Sequence, residues 1–480
     1  MLSRDTLARR LVVAFTAGLF AFAIDAGLQS FLLHRAPSAA LSVSDFRVIY
    51  CGGEAVRRHE DPYLVEPLRS CEHRVERELL EPAWAVTPVP LPGYTLAAAV
   101  PLSLLPFAVA KLLWTGLLLA ALCVAAAALS ATVNRSTVAV MLILTPTVGL
   151  LNLRYGEPVL LSIAALCVAA WLMHENRPRV AAVAAVLAML EPHVGLPAVV
   201  GLFVLVPEAR RTIVFVAGML GVLSLATLGI QENVEYFTAL LPAQARAELI
   251  AVDQYSFSRL AFLLGAPAQV ALALGSLSYF VTIACGVLVA HRARVRTELP
   301  AAVVLVPVAL AMLGGPFVHD VQIAAAVPAL IVLAPRYWLA RIAVVLLVVE
   351  WSSWWRALLV VTGAAAFGVA MVGYPRRAPR FWAGFAFAAT LLAIGMWHAL
   401  PASPVDERWA AVGAPAPPVR PRDLSSLPWG WKIKLVPAAN AVNARNIVEK
   451  FPTWIALLLI PVLLLSGSEL RAARPAASPT

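Results

Sequence analysis

Leu11–Leu33 reads LVVAFTAGLFAFAIDAGLQSFLL, and Ser44–Tyr63, a short step downstream, reads SDFRVIYCGGEAVRRHEDPY. The first stretch is long and apolar enough for the ~20 residues of a membrane-spanning helix. No small-residue cleavage site follows it, so it reads as a retained first helix rather than a signal peptide. Asp25 lies inside it, where a carboxyl is costly and is either functional or paired with a neighbouring helix. The second stretch opens on a carboxylate, Asp45, at the lipid–water boundary. A water-soluble acceptor and a lipid-borne donor can meet at that depth. Asp45 also suits the N-cap of the amphipathic segment after it, and the two roles are compatible.

Working outward, the composition says the same of the whole chain. Apolar residues make up 61% and charged residues 13%, against roughly 45–50% and 25% in soluble domains. The expected class is all-α: a polytopic transmembrane helical bundle of about 12–14 spans, several of them shorter than the ~17–25 residues of a full crossing. The formal net charge is +10, but the Arg and Lys residues form short patches between apolar runs. That is the positive-inside pattern and an affinity for anionic lipid, and it argues against a nucleic-acid partner. Of the five cysteines, Cys123, Cys167 and Cys285 fall in apolar runs. Cys51 and Cys71 share one polar loop and could form a disulfide in an oxidising compartment. No His or Cys spacing resembles a zinc site.

Arg4, Arg9 and Arg10 precede the first helix and place the N-terminus in the cytoplasm. The expected location is the cell membrane, the bacterial inner or plasma membrane, with multiple passes. Residues 1–400 form the core, and 34–91 within it are the first outer loop. Residues 92–107, broken by Pro101 and Pro106, read as a re-entrant or interfacial segment. Further spans are expected near 108–131, 137–151, 158–173, 179–190, 193–206, 212–230, 267–290, 299–313, 320–334, 338–350, 355–373, 381–399 and 453–467. Residues 401–452 form a Pro-rich outer loop with an interfacial segment at Trp429–Lys434. Residues 453–480 hold the last helix and a cytoplasmic tail. No internal repeat is visible, which disfavours transporters built from repeated halves.

On the proposed outer side the helix ends carry polar groups. Asp45 and Arg47 are joined there by Arg154 and Glu157, by Glu191 and His193, by Arg259, and by His319 beside Asp320. A carboxylate with His and Arg at an interface suits transfer from a phosphate-linked donor. The carboxylate takes a proton from an attacking hydroxyl, and the cations stabilise the departing phosphate. Each residue has a plainer role as well. Arg154 suits a snorkelling position, His319–Asp320 a helix start, His193 a tight hairpin, and Asp61 before Pro62 a turn.

The order of these features resembles glycosyltransferase family 87, a GT-C family that includes polyprenol-phosphate-mannose-dependent mannosyltransferases. The residues that carry the resemblance are Asp45 with Phe46 and Tyr50, then Asp61-Pro62-Tyr63. They continue through Tyr94, Pro101-Leu102, Leu105-Pro106-Phe107 and Trp114, then Gly156-Glu157, Glu191-Pro192, and Pro316 with His319. The resemblance spans roughly residues 10–335. It implies a GT-C-like fold, Asp45 as catalytic base and His319 near the donor phosphate. It implies no metal and no cofactor beyond the polyprenyl-phosphate sugar. Two positions depart: the family usually has Gly-Gln where this chain has Gly156-Glu157, and Lys-Pro where it has Glu191-Pro192.

The expected function is transfer of a hexose, mannose by resemblance, from a polyprenyl-phosphate donor to a lipid or glycan hydroxyl on the outer face, with inversion. Asp45 is the expected base; Arg47, Arg154, Glu157, Glu191, His193, Arg259 and His319 are the expected substrate-binding residues. The expected partners are the donor, the acceptor and membrane lipids. The rival readings are a flippase of lipid-linked sugars and an inactive family member, the latter because Glu191 reverses a charge.

Overall fold

The computed structural model describes residues 9–18, 43, 45–75, 86–87, 89–249, 254–347 and 450–465. Asp25, the runs at 355–373 and 381–399, the 401–449 part of the Pro-rich loop and the 468–480 tail lie outside the described residues.

The described chain is helical throughout, as the unbroken apolar runs require. The start of α1 is residues 9–18. The polar segment behind it forms α2 (Phe46–Arg57) and α3 (Val65–Val75). A disulfide between Cys51 and Cys71 ties these two together. Four helices are long and apolar enough to cross a membrane: α5 (Phe107–Val133), α6 (Thr137–Tyr155), the stretch Pro207–Arg246 that contains α10 (Arg210–Glu235), and Ala268–Val295 within α13 (Ala268–Thr297). Shorter apolar helices fill the spaces between them. They are α7 (Val159–His174), α8 (Pro178–Leu190), α9 (Pro192–Leu205), α14 (Ala302–Ala311), α15 (Asp320–Leu333) and the final helix, α17 (Phe451–Leu465). At 1.5 Å per residue these run about 15–24 Å, short of a ~30 Å hydrocarbon core. Residues 92–107 are resolved as α4 (Gly93–Ser103), a Leu104–Pro106 break, and the start of α5. Pro106 ends one helix and opens the next because it has no N–H to give. The remaining elements are α11 (Leu241–Glu248), α12 (Phe257–Leu263) and α16 (Trp338–Leu347).

α5 packs against α7, α7 against α8, and α13 against α14; α9 also packs on α14, and α4 lies across α2 and α10. The bundle has two unlike ends. One gathers Arg10, which donates to Ser130 Oγ at 2.7 Å, and Arg294, which donates to the Leu205 carbonyl at 2.7 Å. Arg135, Arg177, Arg179, Arg210 and Arg211 sit at the same helix ends. The opposite end gathers the start of α2, the α6–α7 turn, the α8–α9 tip and the start of α15. These are the segments whose polar residues stood out in the sequence.

α10 shows its apolar side chains outward: Phe215, Val222 and Ile230 are 68%, 67% and 75% exposed. In water such a face is untenable, whereas in lipid it is ordinary solvation.

Candidate functional site

Asp45 occupies the N-cap position of α2, yet its side chain makes no capping hydrogen bond. Its backbone is fixed instead: Asp45 N–H donates to the Tyr155 carbonyl at 2.6 Å. The α6–α7 turn is built to receive it. Gly156 adopts φ +78°, and a Cβ there would meet Val43 Cγ1 at 2.4 Å. Only glycine takes that conformation and that contact together. The Gly156 carbonyl accepts from Trp114 Nε1 at 2.8 Å. Trp114 stacks on Phe46 with centroids 5.5 Å apart, Phe107 stacks on Phe46 at 5.8 Å, and Tyr50 meets Phe107 edge-on at 5.2 Å. The aromatic residues of the sequence pattern are thus a packed seat that holds Asp45 against the turn carrying Arg154 and Glu157. The Arg154 guanidinium lies over the Tyr155 ring.

Arg47 points away from this turn into the outer loop. It faces Glu72 at 3.4 Å and donates to Thr87 Oγ1 at 3.3 Å, while Glu72 accepts from the Thr87 N–H. Glu54, also buried, takes Arg58 at 2.5 Å and Arg74 at 2.6 Å. The Arg47–Glu72 and Arg74–Glu54 pairs hold α2 to α3. Asp61 caps its own turn by accepting from Tyr63 N–H at 2.8 Å, as the Asp-Pro pair implied. Burial pushes its carboxyl above the ordinary value near 3.8, and Glu235 and Glu232 nearby add to the effect.

A second polar group forms around the α8–α9 tip and the start of α15. Glu191 N–H donates to Ser162 Oγ at 3.2 Å, one turn into α7 and so just below the Asp45 turn. The Glu191 carboxylate accepts from Gln322 Nε2 at 3.2 Å. Gln322 Oε1 in turn accepts from His319 N–H at 2.9 Å, in a capping box that starts α15. His319 Nε2 lies 3.3 Å from Glu248 and 3.1 Å from Gln254 Nε2. Gln254 also accepts from Val318 N–H at 2.8 Å, in a single antiparallel bridge between residues 254 and 319. One connected chain of contacts therefore runs from the Glu157 turn through Ser162, Glu191, Gln322 and His319 to Glu248.

His193 is sandwiched between Tyr279 at 4.6 Å and Phe317 at 5.5 Å, and its carbonyl accepts from Tyr279 OH. Gly315, at φ +116°, leaves room for the imidazole; a Cβ there would stand 2.9 Å from His193 Cε1. His193 Nε2 is sealed and has no hydrogen bond among the described residues. Arg259 is 1% exposed, and its Nη1 donates to the Leu249 carbonyl at 2.8 Å.

The structure thus brings Glu191, His193 and His319 together and joins them through α7 to Asp45, Arg154 and Glu157. Arg47 bonds the outer loop through Glu72 and Thr87, and Arg259 bonds the carbonyl of Leu249, the residue after Glu248. Sequence reasoning missed Glu248, Gln254, Gln322 and Lys450. Lys450 comes from the start of α17: its Nζ bonds the Gln254 carbonyl and lies 4.2 Å from the Tyr255 ring centroid, and Trp454 Nε1 donates to the Tyr255 carbonyl at 3.2 Å. Glutamines carry no charge signal, and a lysine 196 positions from its partner carries no spacing signal.

Fold and ends together define a polytopic helical membrane protein with arginines gathered at one end of the bundle and a connected group of carboxylate, imidazole and amide side chains in the helix junctions of the other. Residues 92–316, just under half of the chain, match the model of glycosyltransferase family 87. That family implies a glycosyltransferase. The match takes in Trp114, Gly156, Glu191 and His193; Asp45 lies before it and His319 three residues past it. No curated protein and no solved structure matches the chain.

Proposed function

We propose that the protein transfers a hexose, mannose in the first instance, from a polyprenyl-phosphate donor to a lipid or glycan hydroxyl on the outer face of the cell membrane. The observation that carries this reading is Asp45. A carboxylate fixed at the backbone, unused as a cap and set at the end of the bundle opposite the arginine patches is a base positioned for a proton. It accepts the proton of the acceptor hydroxyl as that oxygen attacks the anomeric carbon. The sugar–phosphate bond breaks in line on the other side, the carbon inverts, and the polyprenyl phosphate leaves with the bonding pair. His319 holds the leaving phosphate, with Lys450 the nearby cation and Arg154 the cation beside the base. Glu157, Glu191 and His193 complete the substrate site. Residues of this chain account for each step without a metal or a cofactor.

The positive-inside rule puts the basic end and the N-terminus in the cytoplasm and the polar end outside. Donor chains then approach through lipid along the exposed face of α10.

The test is purified protein in liposomes with radiolabelled polyprenyl-phosphate mannose and a membrane-lipid acceptor. A new labelled glycolipid with loss of the donor is expected. Movement of intact donor between leaflets with no new glycosidic bond would instead establish the flippase reading.

A further inference from the structure

Among the buried acids, Glu54, Glu72 and Glu248 each face a cation or an imidazole, and Asp320 accepts from the Val321 N–H. Glu191 is 9% exposed and receives one hydrogen bond, from the neutral Gln322 amide. It is the N-cap residue of α9, but its side chain makes no cap hydrogen bond. Its second oxygen takes no hydrogen bond from the described residues and, unlike His193 Nε2, is not sealed from solvent. Tyr94, Tyr236 and Tyr279 surround it closely enough to feel its charge. Their hydroxyls are committed elsewhere, to the carbonyls of Met189, Pro90 and His193.

A carboxylate taken out of water without a cation is expensive. Keeping it costs stability unless donors arrive from outside the fold. One free oxygen offers two lone pairs, which suits hydroxyl groups of a neutral polyol. The position narrows the ligand further. Glu191 lies between the two ends of the contact chain: Ser162 links it toward the base at Asp45, and Gln322 links it toward His319. On the proposed reaction, the acceptor sits at the first end and the phosphate at the second. The group between them is the sugar ring.

We propose that Glu191 is the specificity-determining residue for the transferred sugar, accepting hydrogen bonds from the ring hydroxyls of an uncharged hexose. This deepens the proposed function and rests on it. A carboxylate here also repels uronic acids and leaves deoxy sugars one donor short. Specificity built on hydrogen bonds discriminates more strongly than apolar contact does, because an unfilled site leaves the buried group unpaired.

The experiment is calorimetric binding of two short-chain probes, citronellyl phosphate mannose and citronellyl phosphate, to the full-length protein in detergent. The wild type is expected to bind the sugar-bearing probe about tenfold or more tightly than the bare phosphate. Glu191→Gln is isosteric, keeps an oxygen for Gln322 and removes the charge. It is expected to lose most of that difference while holding citronellyl phosphate as before. Glu191→Asp keeps the charge on a shorter arm and is expected to fall between. If Glu191→Gln keeps the full difference, the sugar assignment is overturned and the glycosyl-transfer reading is untouched. If the wild type binds neither probe, the donor reading fails and takes this one with it. Thermal unfolding in the same detergent identifies a variant that has lost its fold, and Glu191→Asp then decides the matter by the same comparison.

Discussion

At the residue scale, two carboxylates of one stretch show how little residue type says without its surroundings. Asp45 stands at a helix start and leaves the cap unmade. Asp61, sixteen positions on, is the one that closes a turn. Burial raises the Asp61 carboxyl, so folding favours its protonated form. The penalty for the ionised form is therefore fully present above the folded value and vanishes below the ordinary value near 3.8. Asp61→Asn keeps an acceptor for Tyr63 N–H and is expected to unfold at a higher temperature than the wild type near neutral pH. That advantage should shrink as pH falls through this window, and calorimetric scans across pH would read it. Gly156→Ala imposes a strained φ and a collision with Val43. It is expected to cost at least about 1–3 kcal/mol and to displace Asp45, lowering activity in the variant that remains folded. Both Asp45 and Gly156 were legible in the sequence. Arg47 was legible as a charge near the base, but its real partners, Glu72 and Thr87, come from the far side of the loop.

At the scale of elements, α2 is buried from Phe46 to Ala55, whereas α3 is short and polar and is tied to α2 by specific bonds. The Cys51–Cys71 disulfide and the Arg74–Glu54 and Arg47–Glu72 pairs are the main ties between them. The Cys51→Ser, Cys71→Ser double variant is expected to lose about 3 kcal/mol from a closed loop of this length. It should also show faster proteolysis of the 45–75 segment under reducing and non-reducing conditions alike, whereas the wild type should become sensitive only on reduction. The loop and its cysteines were readable from composition. Helix breaks were readable where proline marks them, as at Pro106. The kink in α10 was not. It comes from Gly229 at φ +80°, with Asn233 bonding the freed Ser224 and Gly229 carbonyls, and nothing in an apolar run announces it.

At the scale of the whole molecule, apolar periodicity and charge order account for the bundle and its two unlike ends. They say nothing of which polar residues touch. The link from Glu191 to His319 runs through Gln322, and the link from His319 to the last helix runs through Gln254 and Lys450. Such contacts join segments far apart in the chain, and amides have no signature in hydropathy or net charge. Orientation has a direct check. In a Cys285→Ser background, a membrane-impermeant maleimide applied to intact cells is expected to label Glu60→Cys and to spare Arg211→Cys until the membrane is opened. The reverse pattern would put the polar end in the cytoplasm.

The most direct measurement compares purified wild type with Asp45→Asn for transfer of labelled mannose from polyprenyl-phosphate mannose. Asparagine keeps the size and the backbone bond to Tyr155 but cannot accept the acceptor's proton. A fall of about 10²–10⁴-fold, with donor binding retained, is the expected result. A variant that transfers mannose at the full rate would show that another group removes the proton, and that the first-loop acid is not the base.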